Sequence, residues 1–495
     1  MKKKSTPQRI YFIGIGGIGV SALARYFLAL GGTISGSDAS QSTITQELEK
    51  EGVEVKIGHK TSNISPKIDL IIHSAVIPHD NPEIRKARKL SIPIKSYSEA
   101  VGELTRKYKT IAIAGSHGKS TTTALLSLIL RNTRFDPTVI IGTKLREFAS
   151  PRRSASSPRK SAHSRNFRKG RSDYLVLEAD EYQKSFLHYS PIAAIITNID
   201  REHLDIFKNL SEIKKIFLKF INNIRPGGIL VVNKDDKNLF SLRYRIRKIA
   251  KKNNLKVIWH SVSISPRKVR VSPRILKIPG NHNLSNALAA YTLAKALGVN
   301  QKKIINSISR FRGAWRRMEY RGNLAIKYLV SNIKYKVSGS KHNKYKILNT
   351  KYKIPVYDDY AHHPTEIKAT LLGLRQKYPK HRIICVFQPH QVQRLKSLFK
   401  EFVKSFDHAD NLILLDIYKV AGRDKLRKSN FDSLKLTETI KKRKFSPSVI
   451  YLKNQKNLPK ILKNLLNSKS YILNPVVIVM MGAGDIYNLT KILLL

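Results

Sequence analysis

The chain has 495 residues, 41% of them hydrophobic, enough for about three domains at roughly 150 residues each. Its single cysteine rules out an internal disulfide framework and a cysteine-built zinc site. No apolar run approaches the roughly 20 residues that cross a bilayer, so a cytoplasmic chain without membrane insertion is expected.

Lysine and arginine number 92 against 34 acids, a formal charge of +58. Such a field attracts polyanions. Yet the basic residues are dispersed, and Lys, Asn and Ile are abundant together, as AT-rich coding produces. No nucleic-acid motif accompanies them. Composition bias is the preferred reading, and no specific nucleic-acid partner is expected. The opening Met1-Lys2-Lys3-Lys4 leads into a glycine-punctuated stretch rather than a signal-peptide core.

Strand and helix patterns alternate from end to end, which predicts α/β architecture with parallel sheets. Residues 9–15 read as a strand, 21–30 as a helix and 32–37 as a second strand. Between the first two lies Gly14-Ile15-Gly16-Gly17-Ile18-Gly19, and Asp38 follows 19 residues after Gly19. This is the dinucleotide-binding pattern: glycines let the backbone approach a diphosphate, and the acid is placed for a ribose. NAD and a UDP-sugar both carry a diphosphate, and a ligand-free packing turn is the bland alternative. Residues 69–74 form another short strand.

The pattern restarts near residue 106. A strand at 110–114 meets Gly115-Ser116-His117-Gly118-Lys119-Ser120-Thr121, and a helix runs on to 130. Gly118-Lys119-Ser120 ends a phosphate-binding loop. Its lysine reaches the β- and γ-phosphates and its serine a magnesium ion. The usual early glycine is replaced by Ile113, so the loop is a shortened variant. Glu178-Ala179-Asp180-Glu181 follows an apolar strand at 174–177, placing carboxylates where magnesium would bind. Thr197-Asn198-Ile199-Asp200-Arg201-Glu202-His203 follows another at 192–196, which makes His203 a second-metal candidate.

A third restart comes at 354–357, with strands at 382–387, 411–416 and 476–481. Cys385 sits in an apolar run and reads as a core thiol. Two stretches look inserted. Residues 144–171 carry ten Lys/Arg and one acid, too polar to bury, and read as a mobile loop. Residues 323–353 are rich in Lys, Tyr and Asn and read as a hairpin or ordered loop.

Taken in order, these motifs resemble those of the Mur ligase family. The set continues through Gly280-Asn281-His282-Asn283-Leu284-Ser285-Asn286-Ala287, Arg316-Arg317, Asp358-Asp359-Tyr360-Ala361-His362-His363-Pro364-Thr365-Glu366 and Phe387-Gln388-Pro389-His390. The resemblance spans nearly the whole chain outside the two insertions. It implies three domains: a Rossmann-like UDP-sugar domain at 1–106, a central ATP-binding domain at 107–317, and a Rossmann-like amino-acid domain at 318–495. It implies that ATP and Mg2+ are used to join L-alanine to the lactyl carboxylate of UDP-N-acetylmuramate through an acyl phosphate, in peptidoglycan precursor synthesis. A ligase attaching another amino acid or a preformed peptide is the rival.

By the same resemblance Gly16, Gly17, Ile18, Asp38 and Ser74 hold the UDP-sugar. The loop Gly115 to Thr121, Asn283, Asn286, Arg317 and Asp359 hold ATP. Ser120, Glu178 and His203 hold metal, and Lys119, Glu178, His203, Arg317 and Asp359 serve catalysis. Tyr360, His362, His390 and Arg394 select the amino acid. Two departures bear on this: Gln391 stands where some relatives carry arginine, and His73 where relatives often carry serine. The sequence is compatible with a monomer or a homodimer.

Overall fold

The computed structural model describes residues 8–148, 165–204, 206–263, 271–272, 275–335, 344–419, 430–466 and 475–494, with 326–335 and 344–352 described for the backbone alone. The chain divides into two compact units. One comprises residues up to Lys277 with His282–Trp315, and the other Ile278–Asn281 with Arg316 onward.

The first unit holds two sheets. Strands β1 (Arg9–Ile13), β2 (Thr33–Asp38), β3 (Glu54–Ile57), β4 (Leu70–His73) and β5 (Ile94–Ser96) form a parallel sheet ordered β3-β2-β1-β4-β5. Strands β6 (Lys109–Ala114), β7 (Thr138–Leu145), β8 (Arg165–Arg168), β9 (Tyr174–Glu178), β10 (Ala193–Ile196), β11 (Ile229–Asn233) and β12 (Lys256–His260) form the second, ordered β12-β11-β10-β6-β9-β7-β8. It is parallel except for β8, which runs antiparallel to β7 at one edge.

These strands are apolar runs because helices cover both faces, leaving no solvent side to demand alternation. Ile111 to Ala114 are fully buried, as are Leu175 to Leu177 and Ala193 to Ile196. A continuous apolar cluster includes Phe12, Leu23 and Val101 from the first sheet's layers and Leu177, Phe186, Ile196 and Phe217 from the second's.

Five helices matter to the site. Helix α1 (Ile18–Ala29) starts at Gly17, and α2 (Thr43–Lys50) is closed by a capping box on Ser42. Helix α3 (Pro82–Lys89) begins at Asn81, whose side chain accepts from the Glu83 N–H. Helix α4 (Tyr97–Lys107) is capped by Ser96, and α5 (Lys119–Arg131) by the phosphate-binding loop itself.

The second unit is a six-stranded sheet of β13 (Glu319–Tyr335), β14 (Lys344–Asp359), β15 (Arg382–Phe387), β16 (Asn411–Leu415), β17 (Ser448–Leu452) and β18 (Val476–Met481), ordered β13-β14-β18-β15-β16-β17. Its core joins Val356, Ile384, Ile413, Ile478 and Leu462. Cys385 is fully buried in β15, and burial pushes its thiol well above the ordinary value.

The insertion expected at 323–353 is a hairpin: β13 and β14 pair antiparallel from Glu319 with Asp358 to Tyr335 with Lys344. The strand expected at 354–357 is therefore the end of a much longer one. The insertion at 144–171 departs from expectation in a different way. Residues 149–164 lie outside the described residues, but both flanks are built into the fold. Lys144 is the penultimate residue of β7, which ends at Leu145, and Arg165–Arg168 is a strand with Asn166 and Phe167 buried.

Polarity does not keep Asn166 out, because every polar atom of its side chain is bonded. Its amide donates to the Ile18 carbonyl and to Ser21 Oγ (2.9 Å), and its oxygen accepts from Arg25. Arg25 continues to Glu51 (2.9 Å), and Lys144 reaches Glu47 (2.6 Å). The insertion's basic flank thus joins the second sheet to α1 and α2.

Candidate active site

At the carboxyl end of β1 the chain turns at Gly14, whose φ of +80° is the left-handed region open to glycine. Gly17 precedes the first turn of α1, and Ile18 is its first residue. The Gly16 N–H donates to Asp38 Oδ2 at 2.9 Å, so loop and acid meet across the β1–β2 edge. Ser74 follows β4 and lies against the same turn: a Cβ on Gly14 would approach Ser74 Cβ to 3.0 Å. The structure thus gathers Gly16, Gly17, Ile18, Asp38 and Ser74 around one helix N-terminus, where free N–H groups favour an anion. His73 turns its Nδ1 to the Ser74 carbonyl (3.0 Å).

The second glycine loop leaves β6 in the same way. Gly118 (φ +80°) carries the turn into α5, and a side chain there would strike Asn286 Oδ1 at 2.4 Å. That contact brings Asn286 from the helix Asn281–Ala296 onto the loop, with Asn283 buried on the same helix. The loop is also held by residues that the candidate set omitted. Asn198 Oδ1 accepts the His117 N–H (2.8 Å), Ser116 Oγ accepts the Asp200 N–H (2.8 Å), and His117 Nε2 lies 3.0 Å from Asp200. The sequence signal for these was the Thr-Asn-Ile-Asp run after β10.

Lys119 donates to the carbonyls of Gly115 (2.7 Å) and Ser116 (3.2 Å) and to Glu181 Oε2 (2.8 Å), with Asp180 at 3.7 Å. Burial pulls its ammonium down, but Glu181, Asp180 and Glu178 outweigh burial and hold it above the ordinary lysine value. Glu181 is 1% exposed and is raised by burial against the pull of Lys119.

Glu178 has both oxygens engaged. Ser120 Oγ donates to one (2.9 Å) and the Gly142 N–H of β7 to the other (2.7 Å). His203 approaches Glu181 (3.6 Å) and Asp180 (3.9 Å), packs on Tyr182 with ring centroids 4.9 Å apart, and has a φ of +55°. That backbone conformation is costly for a histidine and persists where surrounding structure enforces it.

Two neighbouring donor sets result, Ser120 with Glu178, and Asp180 with Glu181 and His203. Glu181 Oε1 and His203 Nδ1 are buried with no hydrogen-bond partner among the described residues. A mostly oxygen donor set with such an orphaned carboxylate oxygen fits a magnesium ion. Of this second set, Asp180 and Glu181 were visible in sequence as three acids within four residues.

In the second unit Asp359 is buried at the end of β14. It accepts the N–H groups of Met318 (2.7 Å) and Ala361 (2.8 Å). Burial lifts its carboxyl to about 6, against the pull of Arg317 and those N–H groups. Arg317 lies over the Tyr360 ring (4.8 Å) and 3.7 Å from Glu366.

A run of rings connects Tyr360 to His362 (5.4 Å) and His362 to His390 (5.7 Å), and Arg394 Nη1 lies 3.2 Å from His390 Nδ1. The four residues expected to select the amino acid are therefore one cluster. Tyr418, stacked on His390 at 5.6 Å, belongs to it and had no sequence signal. Gln391 is buried with φ +70°, and its N–H donates to the Tyr418 carbonyl (3.1 Å).

Three family models match in succession: the Mur ligase family catalytic domain at 9–109, the Mur ligase middle domain at 113–294 and the Mur ligase glutamate ligase domain at 346–484. The UDP-N-acetylmuramate–L-alanine ligase of Clostridium perfringens is 36% identical over 87% of this chain and 88% of its own length. That of a Sulfurihydrogenibium species is 37% identical over 98% and 97%. Among solved structures, a UDP-N-acetylmuramate-alanine ligase from Thermotoga maritima aligns with a TM-score of 0.71 at 24% identity, covering 98% of both chains. A murein peptide ligase from Psychrobacter arcticus aligns with a TM-score of 0.62 at 22%, also covering 98% of both.

Proposed function

The chain belongs to the Mur ligase family, and on that premise we propose that it joins L-alanine to the lactyl carboxylate of UDP-N-acetylmuramate, converting ATP to ADP and phosphate. The observation that carries the reading is the charged cluster of Lys119, Ser120, Glu178, Glu181 and His203 around a phosphate-binding loop, in a chain whose near-full-length relatives bear that name. The expected division of labour places the UDP-sugar on residues 1–106, ATP on 107–317 and the amino acid on 318–495.

The chemistry joins two anions, so cationic groups must bring them together. A carboxylate oxygen attacks the γ-phosphorus, ADP leaves and an acyl phosphate remains. The alanine amine attacks the acyl carbon, loses a proton, and phosphate departs. Lys119 offsets the charge that builds on the transferring phosphoryl group, and the N-terminus of α5 adds free N–H donors. Entry of a triphosphate exchanges the Glu181 contact of Lys119 for phosphate oxygens and leaves Glu181 to its second partner, His203.

Ser120 and Glu178, with Asp180, Glu181 and His203 alongside, would hold magnesium, which would neutralise charge on the phosphate oxygens. Asn283 and Asn286 position the nucleotide, and Arg317 and Asp359 serve the same ligand. The ring cluster Tyr360, His362 and His390, with Arg394, takes the amino acid.

Phosphate release with ATP, magnesium, UDP-N-acetylmuramate and each amino acid in turn tests the reading. Release is expected to require both the sugar and L-alanine. Release without the sugar, or with a peptide in place of alanine, overturns it.

A further inference from the structure

Helix α5 carries the phosphate-binding loop at its start and a second basic site at its end. Arg131, Asn132, Arg134, Asp136, Arg168 and Arg171 surround a concavity of about 510 Å³ at the amino edge of the second sheet, just ahead of β7 and β9. The 13 residues of α5 put it roughly 20 Å from Lys119, so it is separate from the nucleotide site.

The lining has four guanidiniums and one carboxylate. Asp136 is already committed: Oδ1 accepts from Arg168 at 2.5 Å, and Oδ2 accepts the Arg171 backbone N–H at 3.2 Å, with the Arg171 Nε 3.9 Å away. Arg131 uses one donor on the Glu147 carbonyl (2.7 Å), and Arg168 uses another on Pro137 (2.9 Å). A guanidinium has five N–H donors, so most remain available. Arg134 lies over the Phe135 ring and has no carboxylate partner among the described residues, and the Arg171 side chain is 96% exposed.

The negative end of the α5 dipole accounts for basic residues on the helix's last turn. It does not account for Arg168 and Arg171, which come from β8 and the segment after it. Asp136 offsets one of the four like charges brought to this concavity from two chain segments, and the remaining excess of positive charge favours an anion there. Arginine forks match phosphate oxygens in pairs, and the lining is too polar for an apolar ligand.

We propose that this concavity binds a chain of linked phosphates. Two sources share that chemistry: a soluble oligophosphate and the backbone of a nucleic-acid strand. The experiment measures inorganic tripolyphosphate by calorimetry and a fluorescein-labelled 12-nucleotide single strand by anisotropy. Both are run on the full chain, on Arg134→Glu/Arg171→Glu and on Lys251→Glu/Lys252→Glu. The last pair removes the same charge from an exposed helix elsewhere. Melting curves confirm that each variant is folded, and ligation without added polyphosphate is expected to match wild type.

Arg134→Glu/Arg171→Glu is expected to weaken binding at least 10-fold while the Lys251/Lys252 variant stays within 2-fold. Loss confined to tripolyphosphate assigns a soluble ligand, and loss on the oligonucleotide assigns a nucleic-acid strand. Equal binding by wild type and the arginine variant, or equal weakening by both variants, overturns the site. Equal weakening by both would mean that net charge alone attracts the probes.

Discussion

Lys119 and Glu181 form a buried pair at 2.8 Å, and breaking such a pair by removing one partner costs about 3–5 kcal/mol because the other charge stays buried. Lys119→Ala is therefore expected to lower stability by about that amount in urea titrations, and adding Glu181→Gln is expected to restore most of it. Both variants should ligate slowly at best: losing one preorganised charge contact costs about 100- to 1,000-fold in turnover. Binding of UDP-N-acetylmuramate, measured by calorimetry, should survive in both. A Lys119→Ala enzyme with near-normal turnover would remove the loop from the chemistry. Asp359 gives a pH signature. Its folded value of about 6 lies above the ordinary carboxylate value, so the folded chain keeps a proton that the unfolded chain releases near pH 4. The contribution to stability is complete below about pH 4 and is lost as pH rises through about 6. Asp359→Asn should remove that loss, so melts at pH 4 and pH 7 should show the variant gaining about 2–3 kcal/mol on wild type across the interval. Residue type at this scale was legible in the sequence, but pairing was not. The motif 178–181 announced three acids, yet which of them faces Lys119 depends on the turn that follows, where Gln183 and Lys184 take left-handed φ values.

At the scale of elements, apolar runs bounded by turn residues located the buried strands well: 382–387 and 476–481 coincide with β15 and β18 from end to end. The loops after β1 and β6 were legible for the same reason, since glycine at a positive φ marks where a strand must turn tightly into a helix. Strand β8 was not legible. Its residues Arg165 to Arg168 have no apolar period, and Asn166 is buried because Ile18, Ser21 and Arg25 supply its partners from 140 residues or more away. Asn166→Ala should leave those groups unsatisfied and cost about 1–3 kcal/mol, read as a lowered melting temperature with ligation retained at low temperature. Excising 149–164 with a short linker should spare stability and turnover, whereas excision extended through Arg168 should lower the melting temperature sharply. Equal tolerance of both deletions would mean that β8 contributes nothing to the fold.

For the whole molecule, +58 is a self-repulsion that compactness must overcome. Raising sodium chloride from about 10 to about 150 mM shortens the screening length from roughly 30 to 8 Å, so the melting temperature should climb across that range in scanning calorimetry. An unchanged or falling value would show that charge is already balanced locally. The same screening acts differently on the hairpin of β13 and β14. Among the described residues β14 joins β18 only over Val356–Asp359 and β13 pairs with β14 alone, so the rest of the hairpin is a two-stranded ribbon whose outer edges no described strand covers. Open edges invite a third strand from another molecule. Between Tyr320 and Tyr357 the sequence places eight lysines and no acid, so this segment carries the same sign of charge in every copy and copies repel one another there. Salt that steadies the folded chain also weakens this guard. The useful concentration window is therefore bounded above by self-association, and neutralising those lysines by acetylation should narrow it further.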